Sequence, residues 1–550
     1  MKKINPFIDT NMKTTSLKTV MLVVAWCCTM GAWAYDFEVN GIYYGITSTA
    51  DKTVEVVVGD AQYSGDVAIP ATVAYDGITY RVTSIGDYAF VDCSSLTSIT
   101  LPESLTLIGE NVFYGCSSLA SIVIPDGVTT IGNYAFLKCS SLASIILPES
   151  LTSIGKYTFR GCISLASIVI PDGVTSIGES TFLDCSSLAS ITLPEGLTSI
   201  ESYAFSGCSN LASIVIPDGV TSIGESTFWD CSSLASIILP ESLTSIEKYT
   251  FRSCISLASI VIPDGVTSIG ESTFLDCSSL ASITLSESLT SIGDYAFGGC
   301  SSLASITLPE SLTSIGRSAF SGCNGFASIV IPEGVTTIGD YAFGDCSSLT
   351  SITLPESLTS IGEYVFQFCS SLASIVIPEG VTSIEDGTFS FCSSLASITF
   401  PESLTSIGEN AFQFCSNLQK IHSLAITPPT CKSDCFWDVD KSACTLYVPK
   451  GALEAYKAAD GWKEFVNIVE EGSSSIEEVG ADSAGQAVIT ASGDGIVVEN
   501  LPAGTAVTVY TLSGTVVYEG VASGSRTELT LPAGHLYLVK CGPTVTKVAL

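Results

Sequence analysis

Between residues 90 and 420 the apolar positions of this chain return every 23 residues. In Leu165-Ala166-Ser167-Ile168-Val169-Ile170, the residues Leu165, Ile168 and Ile170 are spaced to point inward, with small or polar residues between them. Such alternation predicts a strand with one buried face. Pro171-Asp172-Gly173 then ends it, because proline has no N–H for a ladder. Val174 and Ile177 return to the interior, and a short helical turn is predicted through Phe182 to Cys185. The same unit recurs with a cysteine at each step from Cys93 to Cys415 and a phenylalanine three residues before it, from Phe90 to Phe412. Fifteen cysteines share this register without an insertion or deletion. A fixed period of this length means stacked coils, each too small to bury its own apolar face. The predicted fold is therefore mainly β: a solenoid of about fifteen 23-residue coils with a parallel sheet and short helical turns.

The flanks break the period. Residues 35–89 alternate like strands, with Asn40-Gly41 and Asp76-Gly77 as type I′ hairpin signals, and are expected to cap the first coil. Residues 421–470 contain Pro428-Pro429 and a predicted helix from Ala452 to Ala459 that covers the last coil. Residues 471–487 are polar and read as a linker. Residues 488–550 alternate again and fit a small β-sandwich. Residues 1–34 read as a secretory signal peptide, with Lys2, Lys3, Lys13 and Lys18, an apolar core from Val20 to Ala25, and Ala32-Trp33-Ala34 as the cleavage site. The bulky Trp26 argues against lipoprotein processing at Cys27.

Two coil subtypes alternate, one reading LPES-L and the other IPDG-V or IPEG-V. The alternation slips at Ser286 and Pro309, where two ES-type coils are neighbours. Residues 162–193 and 254–285 are identical, which points to duplication in blocks of four coils. The glycine after the core isoleucine gives way to Glu201, Glu247 and Glu385, so a left-handed backbone is not obligatory there.

Charge narrows the partners. The formal net charge is −34, and between Cys93 and Cys415 there are 30 acidic against six basic residues. Nucleic acid is excluded as a partner, since phosphate binding needs basic surface. After residue 34 no apolar run reaches the length of a membrane-spanning helix. Most of the 21 cysteines belong to the ladder, and buried free thiols acting as small hydrophobes explain them.

The chain offers no catalytic constellation and no cofactor motif. Its two histidines, His422 and His535, lie outside the array, and its serines occupy equivalent repeated positions. Binding rather than catalysis is therefore expected, over the exposed strand positions exemplified by Ser144, Ser167, Val169, Ser190, Thr192, Ser213 and Val215. Beside them runs a ladder of turn carboxylates from Glu103 to Glu402, including Glu149, Asp172, Glu195 and Asp218. These read as solvated turn residues, and calcium bridging between coils is the chemical alternative. No metal site is assigned. Trp229 stands where other coils have Leu183 or Leu275 and reads as drift. Among Cys431, Cys435 and Cys444, one disulfide is favoured over a zinc site.

The unit S-L-x-S-I-x-I-P-x-x-V-T-S-I-G-x-x-A-F-x-x-C resembles the BspA-like (Treponema pallidum-type) leucine-rich repeats of bacterial surface proteins over about residues 90–420. FEVNGIYYGITS and TLYVPKGALEAYKAADGWKEF resemble the caps of such arrays in Bacteroidetes. The resemblance implies a secreted, cell-surface, adhesin-like protein for host or microbial protein or glycan partners; a passive spacer or surface coat is the alternative. Val507-Thr508-Val509-Tyr510, Leu531-Pro532-Ala533-Gly534, Leu536 to Lys540 and Lys547 resemble a type IX secretion C-terminal sorting domain, implying contact of 488–550 with secretion machinery. His535 and Cys541 depart from that pattern.

Overall fold

A computed structural model of the chain describes residues 35–470 and the strands between 488 and 549. The expected signal peptide (1–34) and linker (471–487) lie outside the described residues. The chain divides into two units, 1–468 and 469–550.

The first unit is a parallel β-solenoid. A typical coil contributes a three-residue strand such as Ser167–Val169 and a two-residue strand such as Ser176–Ile177. Inside, side chains stack by column. Consecutive phenylalanines from Phe90 to Phe412 lie with ring centroids 5.1–5.9 Å apart and planes within 20°. The cysteine column runs beside it, buried and free of disulfides. From Cys116 onward each thiol donates to the carbonyl of the phenylalanine 26 residues earlier, as Cys116 Sγ does to Phe90 O at 3.1 Å and Cys231 Sγ to Phe205 O at 3.2 Å. The same carbonyls also accept from the N–H of the cysteine three residues later, as Phe205 O does from Cys208 N at 3.1 Å, so each thiol occupies a second lone pair of an already bonded carbonyl.

The subtypes are two halves of one two-coil unit. In the first strand row, Ser121–Val123 pairs with Ser144–Ile146, Ser167–Val169 with Ser190–Thr192, and Ser213–Val215 with Ser236–Ile238. The alanine before each strand shows the same grouping. Ala143 N donates to Ala120 O at 2.9 Å within a unit, whereas Ala166 N reaches Ala143 O at 3.4 Å between units. The turn residues explain it. A Cβ on Gly219 would sit 2.6 Å from Leu197 O of the preceding coil, so only glycine allows this approach. In the other subtype the equivalent Ser242 fills the gap, donating to Val220 O at 2.7 Å. Where two ES-type coils are neighbours, Ser305–Thr307 forms no strand. The second row is indifferent to subtype and runs as one nine-stranded sheet from Ser176–Ile177 to Ser360–Ile361.

The segment expected to be helical through Phe182 to Cys185 is a run of tight turns. Ser180 and Asp184 have φ of 55° and 63°, which interrupts any helix. Their backbone donors turn to the next coil instead: Ser180 N bonds Ser202 O at 3.0 Å and Asp184 N bonds Ser206 O at 2.8 Å.

Both caps continue these columns. Asn40-Gly41 and Asp76-Gly77 have positive φ throughout, as type I′ hairpins require. Gly65–Ala68 pairs with Leu96–Thr100 and Ile78–Ile85 with Leu107–Ile108, so the N-terminal cap extends both strand rows. Tyr63 stacks on Phe90 at 4.5 Å and closes the phenylalanine column. At the other end Phe436 stacks on Phe412 at 5.2 Å, and Trp462 and Phe465 meet Phe436 edge-on. The helix Leu453–Ala458 buries Tyr456, whose hydroxyl donates to Ala425 O at 2.8 Å. Among its described residues the second unit contains two antiparallel sheets, of three and four strands. Ile496, Val498, Val507, Val509 and Val539 are buried, the alternation a β-sandwich needs.

Candidate functional site

The first strand row places the expected residues on one outward face. Ser144, Ser167, Ser190 and Ser213 begin their strands and are exposed, as are Val169, Thr192 and Val215 at the third position. The second position, Ile145, Ile168 or Ile214, is buried. Parallel pairing in register aligns Val169 with Thr192 and Val215 with Ile238. The result is an aliphatic row in which Val123, Ile146, Val169, Val215, Ile238, Val261, Val330 and Val376 are each 59–66% exposed. Isolated exposed aliphatics are ordinary, but Val123, Ile146 and Val169, and again Val215, Ile238 and Val261, hold this position in three consecutive coils, with Thr192 between the two runs.

Glu149, Asp172, Glu195 and Asp218 follow three residues after the outward position, exposed at the turn. No ion pair among the described residues involves these four. The basic residues of the array lie on the opposite turns instead, where Lys156 pairs with Glu179 and Glu201 at 3.6 and 3.5 Å. Further along the ladder, Glu333 Oε2 accepts from the N–H of Glu356 at 3.2 Å, one coil on. Among the described residues, no group of three or more His, Cys, Asp or Glu is placed to hold a metal ion.

The ladder thiols are chemically quiet. Burial pushes Cys93 up to about 11 and Cys277, Cys346 and Cys415 up to about 12. A thiol that resists ionisation is a poor nucleophile and a poor metal ligand. In the C-terminal cap, Cys431, Cys435 and Cys444 are free, and the expected disulfide is not formed. The Cys431 thiol donates to Cys435, which raises its own resistance to ionisation. His422 stacks on Tyr447 at 4.4 Å.

Two features escape a reading of the repeat consensus. Trp229 lies 5.2 Å under the Arg252 guanidinium, a cation–π contact on the turn side. Phe368, Phe391 and Phe414 form a second aromatic ladder outside the core column. The signal was present as F-Q-F-C, F-S-F-C and F-Q-F-C in three consecutive coils, but one phenylalanine per coil already accounted for the core. Among the described residues no helix is long and apolar enough to cross a membrane.

The chain is similar to known leucine-rich repeat proteins. The model of the BspA type leucine rich repeat region matches residues 77–188, 152–281, 198–326, 267–369 and 325–441. A leucine-rich repeat protein from Bacteroides ovatus is 34% identical, covering 76% of this chain and all of its own, with a TM-score of 0.59. A leucine rich cell surface protein from Faecalibacterium prausnitzii is 30% identical over 67% of this chain and 95% of its own, with a TM-score of 0.43. The leucine-rich repeat protein of T. pallidum is 33% identical over 36% of this chain and 90% of its own, with a TM-score of 0.32. No curated protein matches the chain. With the family's repeat matched across most of its length, the chain belongs to the BspA-type leucine-rich repeat proteins.

Proposed function

We propose that this is a secreted, cell-surface adhesin-like protein that engages a host or microbial protein or glycan through the first strand row. The observation that carries the reading is the exposed aliphatic row flanked by small hydroxyl residues and the acidic turns. Such a surface provides broad, weakly polar contact and suits a macromolecule better than a small ligand. Each coil offers a similar patch, so recognition is spread along the array and gains from many small contacts. Residues 1–34 would direct export, and residues 488–550 would act as a type IX sorting domain. The identity of 162–193 with 254–285, four coils further on, favours a second reading, a spacer or surface coat in which the coils supply only length.

A binding assay of the full chain against immobilised extracellular-matrix proteins and epithelial cells separates the two. An adhesin binds, and loses binding when Val123, Val169, Val215, Val261, Val330 and Val376 are replaced by Asn. Binding that survives this change argues against the strand row, and no binding at all favours the spacer. Protease shaving of intact cells should release array peptides; an array retained inside the cell with residues 1–34 attached would refute the localisation.

A further inference from the structure

We propose that the N-terminal mouth of the solenoid captures an extended basic peptide of a partner protein, which adds a strand to the free edge of Gly65–Ala68 and seats an apolar side chain in the cavity beside it. The proposal does not rest on the strand-row reading, because the outward valines of the array take no part in it.

The two strand rows end differently at this cap. The second row runs three strands beyond Ile78–Ile85, through Thr53–Val56, Ile42–Ser48 and Phe37–Val39. The first row stops at Gly65–Ala68, which pairs only with Leu96–Thr100 among the described residues. The mouth is therefore stepped, with the first row the shorter side. Gly65 N donates to Ser95 O at 2.9 Å and Ile69 N to Thr100 O at 3.0 Å. Backbone groups of successive strand residues face opposite edges, so those of Asp66 and Ala68 face the open one. Both residues are exposed. An unpaired edge of this kind is a template for another strand. Charged side chains commonly guard such edges, but Asp66 is drawn onto the neighbouring strand, where it accepts from Thr97 Oγ1 at 2.9 Å and Ser98 Oγ at 2.6 Å. No lysine or arginine occurs between residues 53 and 80.

Beside the edge lies a cavity of about 490 Å³. Ser64, Asp66, Ala68 and Pro70 line it from the edge, and Ile42 and Tyr44 from the hairpin turned by Asn40-Gly41. The apolar core is open at this end, since Val67, paired with the buried Ile99, is itself only half-buried. The Tyr44 hydroxyl is buried and has no hydrogen-bond partner among the described residues. Phenylalanine would fill the same space without the cost of an unbonded hydroxyl. A strand laid along the edge answers each feature: its backbone pairs with Asp66 and Ala68, one apolar side chain enters the cavity beside Val67, and a carbonyl reaches Tyr44.

Charge selects the peptide. Residues 35–89 hold eight acidic and two basic residues. This field attracts a basic strand, and it opposes a second copy of this chain, which would bring the same acidic cap to the same edge.

The test is fluorescence anisotropy of labelled Lys-Val-Lys-Val-Lys-Val against the full chain, beside the same peptide with alternate amides N-methylated and the acidic peptide Glu-Val-Glu-Val-Glu-Val. N-methylation removes strand donors and keeps the charge, so it separates edge pairing from general attraction to an acidic protein. Two variants probe the site. Ala68→Pro removes an N–H from the open edge, where proline is tolerated. Tyr44→Phe removes only the hydroxyl. At about 0.15 M salt the basic peptide should bind about ten-fold or more tighter than its N-methylated form, with a similar loss in Ala68→Pro. Tyr44→Phe should weaken binding about three-fold or more, while its Tm stays level or rises. The strand-row Asn variant should bind the peptide as the unchanged chain does, so the two sites fail separately. The proposal is overturned by no binding of the basic peptide, by equal binding of the N-methylated form, or by tighter binding of the acidic peptide. Full binding by both Ala68→Pro and Tyr44→Phe also overturns it. A dimer of the full chain that Ala68→Pro abolishes overturns it in favour of self-association.

Discussion

Within a single coil, the inward columns and the outward rows are built on opposite terms. Inward, Phe228 and Cys231 are fully buried, with Phe228 stacked 5.5 and 5.6 Å from the phenylalanines on either side. Every inner position has a partner above and below, and a change there is felt by two neighbours. Outward, Val215 and Asp218 of the adjoining coil face solvent, and repetition gives them alignment rather than burial. The difference separates two uses of one repeat. The inner columns convert regularity into stability, and the outer rows convert it into a long surface of uniform chemistry.

The sharpest way to break this contrast is alkaline pH. Cys277, Cys346 and Cys415 are pushed up to about 12 by burial, against an unfolded value of about 8.5. The neutral thiol is the form the folded state favours. Stability is therefore complete below about pH 8.5 and falls as the pH rises toward 12, by about 1.4 kcal/mol per pH unit per thiol. Thermal melts between pH 8 and pH 11 should show a steep fall in Tm; a flat profile would mean that the column is hydrated.

Truncation of the inner column comes next. Phe228→Ala should cost about 3–5 kcal/mol in chemical denaturation, and a loss under about 1 kcal/mol would contradict the stacked core. A smaller effect tests the two-coil unit. Gly219→Ala should cost about 1–3 kcal/mol because its Cβ would meet Leu197 O at 2.6 Å. Gly196→Ala, whose nearest neighbour would be Asp172 O at 3.6 Å, should be nearly neutral. Equal costs at the two glycines would remove the explanation of the alternation. Smallest of all, Val169→Asn and Val215→Asn should change stability by no more than about 0.5 kcal/mol.

Much of the inner architecture was legible in the residues. The 23-residue register of Phe90 to Phe412 and Cys93 to Cys415 places both columns, and Asn40-Gly41 and Asp76-Gly77 announce their hairpins. The outward serines and valines followed from strand alternation. The turn through Phe182 to Cys185 was not legible as such, because its donors are satisfied by the next coil, a partner that local propensity does not contain. The thiol–carbonyl bonds were hidden for the same reason, since Cys and Phe meet across 26 residues. The slip at Ser286 and Pro309 was visible, but its consequence, the lost strand at 305–307, depends on pairing between coils. Phe368, Phe391 and Phe414 were masked by their own neighbours, because a phenylalanine two residues from a core phenylalanine reads as more core.

The account holds that strand-row recognition is distributed over many coils. The direct measurement is matrix and cell binding by a series in which Val215 alone, then Val169 and Val261, then Val123, Val330 and Val376 are also replaced by Asn, with Tm recorded for each variant. The account predicts affinity that falls stepwise with each addition while Tm stays constant. Abolition of binding by Val215→Asn alone, or full binding by the complete variant, would contradict it.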